Sequence, residues 1–325
     1  MAFKDILGNE RQKKILRRAL QKGRLPNSML FCGQEGIGKK SIALVLAKAL
    51  NCISKKDDAC ETCSACRAIN KNNFPDVMVI SPEGNIIKIG QMRILKQTAY
   101  LRPMVGKKRV FIVTEAEKMN EEASNSLLKI LEEPPLFSHI ILITTNPEMI
   151  RATIKSRCQI LNFQPILREE IEKILLKKGF SAKRAKVISL LVKGNLKKAL
   201  HLDWEKIQSR REEAWQFFVS FVMKKNVASY LNQYSARQGL TRDELEQNLE
   251  ILSSFCRDLV LLQQGSNPHL LMNPDYAQKM IQLKDFISWQ KSVDCLQIMD
   301  YNLYALQKNL NINLLISSLF SNLME

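Results

Sequence analysis

The residues Gly33-Gln34-Glu35-Gly36-Ile37-Gly38-Lys39-Lys40 do more than any other stretch to limit what this chain can fold into. They follow a short apolar run at 28–32 (SMLFC) and open a strongly helical one, SIALVLAKALNC. Strand, glycine turn and helix in that order are the setting in which a backbone wraps a phosphate. Glycines let the chain fold tightly, so that amides point at phosphate oxygens. The helix N-terminus adds partial positive charge. Lys39 stands where a lysine reaches the β- and γ-phosphates. Gly33, Gly36, Gly38 and Lys39 are therefore the expected nucleotide contacts, with ATP or ADP as the ligand.

The pattern breaks at one residue. A Ser or Thr should follow the lysine, because its hydroxyl ligates Mg2+. Lys40 stands there instead, and an ammonium has no lone pair to offer. Ser41 is a poor replacement, since one step along a helix turns the side chain by about 100°. A second run, RVFIVTE at 109–115, resembles the strand that usually ends in two acids. The first acid holds Mg2+ and the second orients the attacking water. Here the pair is Thr114-Glu115, so only Glu115 remains as a candidate nucleotide-site residue. Two positions that serve Mg2+ are lost together, which reads against hydrolysis by this chain.

Cys52, Cys60, Cys63 and Cys66 place four thiols within 15 residues. At this density, in a chain expected to be cytosolic, thiols fit a tetrahedral Zn2+ site. No His lies in the segment, so four sulfurs would close the shell and make the site structural. An iron–sulfur cluster and unligated thiols remain the alternatives. Cys32, Cys158, Cys256 and Cys295 sit in apolar or helical contexts and read as buried, unreactive thiols.

The remaining pattern is α/β and then all-α. Strands are expected at 76–80, 86–89, 109–113, 140–144 and 159–163, and helices at 4–22, 90–100 and 121–132. Alternation of this kind predicts a mostly parallel sheet. After Pro165 strand signals stop, and 166–201 reads as two or three short helices. Three parts are expected: 1–165 with a metal module at 52–66, a small helical domain at 166–206, and a larger helical domain at 207–325. The net charge of +17, from 49 Lys+Arg against 32 Asp+Glu, suits nucleic acid, an acidic protein or a membrane surface as neighbour. No apolar stretch reaches the roughly 20 residues of a membrane helix, so a cytoplasmic protein with reduced cysteines is expected.

Taken together, the motifs resemble one family. GQEGIGKK, the four-cysteine insertion, RVFIVTEAEKM, NSLLKILEEPP, TTNPEMI and IKSRCQI occur in the order and at the spacing of bacterial clamp loader subunits of the AAA+ class. FKDILGNERQKKIL and LRPMVGKKRVFIV look like that family too. The likeness is dense over 1–165. It extends more weakly to GNLKKAL at 194–200, which is similar to the family's sensor-2 helix. Lys197 stands there where the ATPase subunits usually carry Arg. Lys40 and Thr114 resemble the delta-prime branch, whereas the gamma/tau branch keeps the hydroxyl residue and both acids.

The resemblance implies an AAA+ P-loop core with a parallel sheet and zinc insertion, a helical lid, and a C-terminal helical collar. It implies an accessory subunit of the DNA polymerase III holoenzyme, a nucleotidyltransferase complex. Gamma/tau and delta subunits, a sliding clamp and primed DNA would be its partners. The family's Ser-Arg-Cys motif falls on Ser156, Arg157 and Cys158. Its arginine is offered to the neighbouring subunit's nucleotide, which makes Arg157 the expected catalytic residue in trans. Two other readings stay open: an active gamma/tau-like ATPase subunit, and a zinc-containing DNA-binding protein with a vestigial phosphate loop.

Overall fold

The computed structural model describes residues 1–55, 57–192, 194–223, 241–267, 270–307 and 310–324. The expected domain at 207–325 therefore lies partly outside the described residues. The chain forms two compact units. One comprises 1–185 with 192–200, and the other 186–191 with 201–325.

The first unit is built on a five-stranded sheet: β1 (Ser28–Cys32), β2 (Val77–Ile80), β3 (Arg109–Val113), β4 (Ser138–Thr144) and β5 (Gln159–Asn162). The strand order is β2-β3-β4-β1-β5, and every pair is parallel. Its helices, beginning ahead of β1, are α1 (Glu10–Gln21), α2 (Lys39–Asn51), α3 (Ser64–Asn70), α4 (Ile89–Ala99), α5 (Glu121–Glu132) and α6 (Ala152–Lys155). Three short helices come next: Arg168–Lys177, Ala182–Leu191 and Leu196–His201.

The central strands are continuous apolar runs because both faces are covered. Side chains alternate across a strand. Met29, Phe31, Val110, Ile112, Ile141 and Ile143 enter one core with Ile42 and Leu46 of α2. Their neighbours Leu30, Phe111, Val113, Ile140 and Leu142 enter the other, with Leu95 of α4 and Leu127 of α5. The register sets Cys32 beside Thr144, and Ile80 beside Val113. The carboxyl ends of β1, β3 and β4 thus lie side by side, where ligands of parallel sheets bind.

Two local expectations change. The helix foreseen at 4–22 is a 3-10 turn at Phe3–Asp5 and then α1. Gly8 (φ +73°) and Asn9 (φ +54°) break it. The Asn9 side chain instead bridges the backbone at Ile37 and Gln164, at 3.3 and 3.2 Å. The strand foreseen at 86–89 forms only isolated bridges, Glu83 with Ile86 and Ile87 with Met119, before α4 begins.

The second unit is helical. Its longer helices are Trp204–Val222, Arg242–Gln263, Trp289–Gln307 and Ile312–Met324. Trp215, Phe255 and Tyr276 pack ring against ring, with centroids 4.9 to 5.4 Å apart. No helix among the described residues is long and apolar enough to cross a membrane.

One buried group makes the first unit acid-sensitive. The His139 imidazole on β4 bonds the Pro26 carbonyl at 3.2 Å. Burial pulls its pKa down to about 4, against that bond and with help from Lys108. In the unfolded chain it titrates near 6.5. As pH falls from 6.5 to 4, the unfolded chain takes up a proton that the fold refuses. Stability is lost over that window, by up to on the order of 3 kcal/mol. His139→Gln should flatten the urea-unfolding free energy between pH 6.5 and 4. An unchanged slope would place the loss elsewhere.

A degenerate phosphate loop and a four-cysteine module

The phosphate loop runs from the end of β1 to the first turn of α2. Gly33 has φ +146°, and a Cβ on it would stand 2.6 Å from the Phe163 carbonyl oxygen. Gly36 has φ +75°, and a Cβ there would stand 1.9 Å from Asn195 Oδ1. Both glycines are required by backbone conformation and by space. Asn195 Oδ1 also accepts from the Lys198 amide at 2.8 Å, so it caps the helix Leu196–His201 while resting on the loop.

Lys39 is buried, 5% exposed. Its ammonium donates to the carbonyls of Gly33 and, at 2.5 Å, Gln34. Burial lowers its pKa to about 8, against the pull of Glu117, Glu35 and Cys32. Lys40, one step on, is exposed. Lys197 is exposed on the helix that Asn195 caps.

The acidic end of β3 is rearranged. The Thr114 hydroxyl is shared with Ser81 at 2.9 Å and with the Ile80 carbonyl at 3.2 Å. It is thereby committed to β2. Glu115 has φ +51° and pairs with Lys118 at 2.6 Å, half exposed. The structure brings Gly33, Gly36, Gly38 and Lys39 together, and it leaves Glu115 and Lys197 at the surface.

Glu117 was not foreseen. Its Oε1 accepts from both the amide and the hydroxyl of Thr145, at 3.1 and 2.6 Å. Its Oε2 is buried with no hydrogen-bond partner among the described residues. Nothing local in TEAEKM separates Glu117 from Glu115. Only the apposition of β3 and β4 does.

Arg157 follows α6. Its Nε donates to Glu132 Oε1 at 2.6 Å, and a second nitrogen donates to the Thr153 carbonyl at 2.8 Å. Its side chain is 30% exposed and that of Glu132 is 48% exposed.

The four cysteines of 52–66 converge. Their sulfurs all lie within 4.8 Å of one another. Cys60 and Cys66 sulfurs are 4.0 Å apart. A tetrahedron with bonds of about 2.3 Å sets sulfurs roughly 3.8 Å apart. The cluster therefore has the size of a metal site, and all four thiols are free. Amides of Lys55, Cys63 and Cys66 point at Cys52, Cys60 and Cys63 sulfurs, at 3.3, 3.3 and 3.5 Å. Such donors favour thiolates, the form that binds metal. The Thr62 hydroxyl and the Cys63 amide bring the Cys60 thiol down to about 5.

The module is fixed to α2. Cys52 ends that helix. Lys48, 2% exposed, donates to Glu61 and to the Met1 carbonyl at 2.5 Å each, and to Asn70 at 2.9 Å. The Glu61 carboxyl falls to about 2: burial opposes the shift, and Lys48, the N-terminal amine and Asn70 outweigh it.

Comparison with known proteins places these features in one family. The family model described as DNA polymerase III, delta subunit, matches residues 8–167. DNA polymerase III subunit delta' of Bacillus subtilis is 31% identical over 263 residues, 80% of each chain. The gamma/tau subunit of Mycoplasma genitalium is 34% identical over 207 residues, which is 62% of this chain and 34% of the relative. A solved chain from Thermotoga maritima, a DNA polymerase III gamma subunit-related protein, aligns over 96% of this chain and 98% of its own. Its identity is 18% and its TM-score 0.48, too low to add to the case. The likeness to that gamma/tau subunit covers about a third of the relative, while the delta' likeness runs through four fifths of both chains. The chain belongs to the family of DNA polymerase III delta' subunits, the accessory subunits of the clamp loader.

Proposed function

We propose that this subunit serves in the clamp loader without hydrolysing ATP, and that it completes the nucleotide site of a neighbouring gamma/tau subunit through Arg157. The observation that carries the reading is the loss of both Mg2+ ligands. Lys40 brings a like charge to the place of the hydroxyl. Thr114 stands in place of the acid and spends its hydroxyl on Ser81 and Ile80. A bound nucleotide would meet Gly33, Gly36, Gly38 and Lys39, while the two positions that ordinarily hold Mg2+ carry Lys40 and Thr114.

Arg157 supports the second half. A guanidinium is planar, permanently charged and suited to phosphate. Here it is partly exposed and held by a half-exposed carboxylate, which a stronger anion can replace. The partners under this reading are gamma/tau and delta subunits in a five-membered ring, the sliding clamp, and primed DNA reached through the assembled complex. The helical unit would join the collar of that ring, and the setting would be cytoplasmic. The four-cysteine module would hold Zn2+ as a structural ion, with no open position for chemistry.

The direct test is ATP turnover by the purified chain, alone and then with gamma/tau, delta, clamp and primed DNA. No turnover alone, with turnover of the mixture depending on this chain, is expected. Robust turnover alone would make it a motor subunit.

Two substitutions extend the test. Arg157→Ala should leave ring assembly intact and lower the DNA-stimulated ATPase of the complex by about tenfold or more, as loss of an arginine supplied in trans does. Undiminished turnover would remove the role. Metal analysis should find one zinc per chain, lost in Cys63→Ser together with several degrees of thermal stability in the first unit. A parent protein free of zinc would end that assignment.

A further inference from the structure

A phosphate loop normally meets two needs at once. Its lysine requires an anion, and the donors at the neighbouring strand end require an acceptor. In a nucleotide triphosphatase the terminal phosphate meets both. In this chain both are met from within. Thr145 follows β4 directly, and β4 lies beside β1 with Thr144 in register with Cys32, the last residue before the loop. Thr145 therefore stands at the carboxyl end of the sheet, where the outer phosphate of a nucleotide on this loop would lie. Its amide and hydroxyl are the kind of donors that hold a phosphate oxygen. Both are taken by Glu117 Oε1, at 3.1 and 2.6 Å. The second oxygen of that carboxylate is buried and accepts from no described residue. Lys39 is turned inward onto its own loop carbonyls.

We propose that Glu117 is an internal substitute for the terminal phosphate: it occupies the Thr145 donors, and it restricts the loop to a nucleoside diphosphate by repelling a triphosphate. This deepens the reading of a subunit that does not hydrolyse ATP, and rests on it. The lost Mg2+ ligands explain why cleavage fails. Glu117 concerns an earlier step, which nucleotide enters. Glu117 is also the foremost charge acting on the Lys39 ammonium, which agrees with this placement. A like charge held in a partly dry site is a strong device for rejecting one ligand in favour of another.

The test is equilibrium binding of fluorescent ATP and ADP analogues to the purified chain, with and without Mg2+. The wild type should bind ADP at least about tenfold more tightly than ATP. Glu117→Ala should gain about tenfold or more for ATP and change less than about threefold for ADP, which removes the preference. Glu117→Gln keeps the size and an acceptor for Thr145 but drops the charge, and should fall between the two. Thermal melts of each variant establish that it is folded. Equal ATP and ADP affinity in the wild type would overturn the assignment. So would an unchanged ATP affinity in folded Glu117→Ala, or no nucleotide binding by that variant. Turnover measured on the same samples separates the two readings. A wild type that binds ATP and ADP equally but cleaves neither sinks the Glu117 role alone. One that cleaves ATP sinks the non-hydrolysing reading.

Discussion

A cation buried at the mouth of a parallel sheet has to be neutralised, and the first unit is arranged around that requirement. Lys39 is 5% exposed and cannot rely on water. In a working ATPase, nucleotide phosphates solve the problem. In this chain carbonyls of Gly33 and Gln34 also hold the ammonium, and acidic groups act on it from nearby. The loop keeps its shape because Gly33 lets it press on the Phe163 backbone and Gly36 makes room for Asn195. The glycines and the lysine are thus parts of the fold as well as of the phosphate loop.

The same helix explains why the cysteine module sits where it does. α2 carries the phosphate loop at its N-terminus and Cys52 at its C-terminal cap. Lys48 and Asn51, both 2% exposed, anchor opposite neighbours. Lys48 gathers Glu61, Asn70 and the N-terminal residue, while Asn51 accepts from the amides of Lys107 and Lys108, at 2.9 and 3.0 Å. A closed four-sulfur shell would stiffen the end of the helix whose start positions Lys39. A metal held by the four sulfurs would therefore be coupled to the phosphate loop through one helix.

What could be read from the sequence was local. The apolar runs at 28–32 and 109–113 are strands with the expected bounds, because full burial on two faces leaves a continuous signal. The glycines, Lys39, Lys40, Thr114 and the cysteine spacing were legible because each motif is short. The run at 86–89 misled, since its paired isoleucines suit a strand but only isolated bridges form. Glu117, Asn195 and Asn9 were invisible for a common reason. Each acts through a partner brought close by the sheet: Thr145 lies 28 residues from Glu117, and Gln164 lies 155 residues from Asn9. Spacing along a chain carries no trace of such pairs.

Two arginines show how burial separates a structural cation from one free to act elsewhere. Arg211 is fully buried, grips Asp275 with two bonds of 2.8 Å, and adds Asn273 at 2.8 Å. Removing it would strand a buried carboxylate, at a cost of about 3–5 kcal/mol. It cannot leave without unmaking the helical unit. Arg157 has a carboxylate partner too, but both side chains reach solvent. Pairs of that kind contribute about 0–1 kcal/mol. Under the role proposed for Arg157, exchanging Glu132 for a phosphate would therefore cost little. A weak resting ion pair is what the trans role proposed for Arg157 would need: Glu132 keeps the guanidinium oriented without holding it tightly.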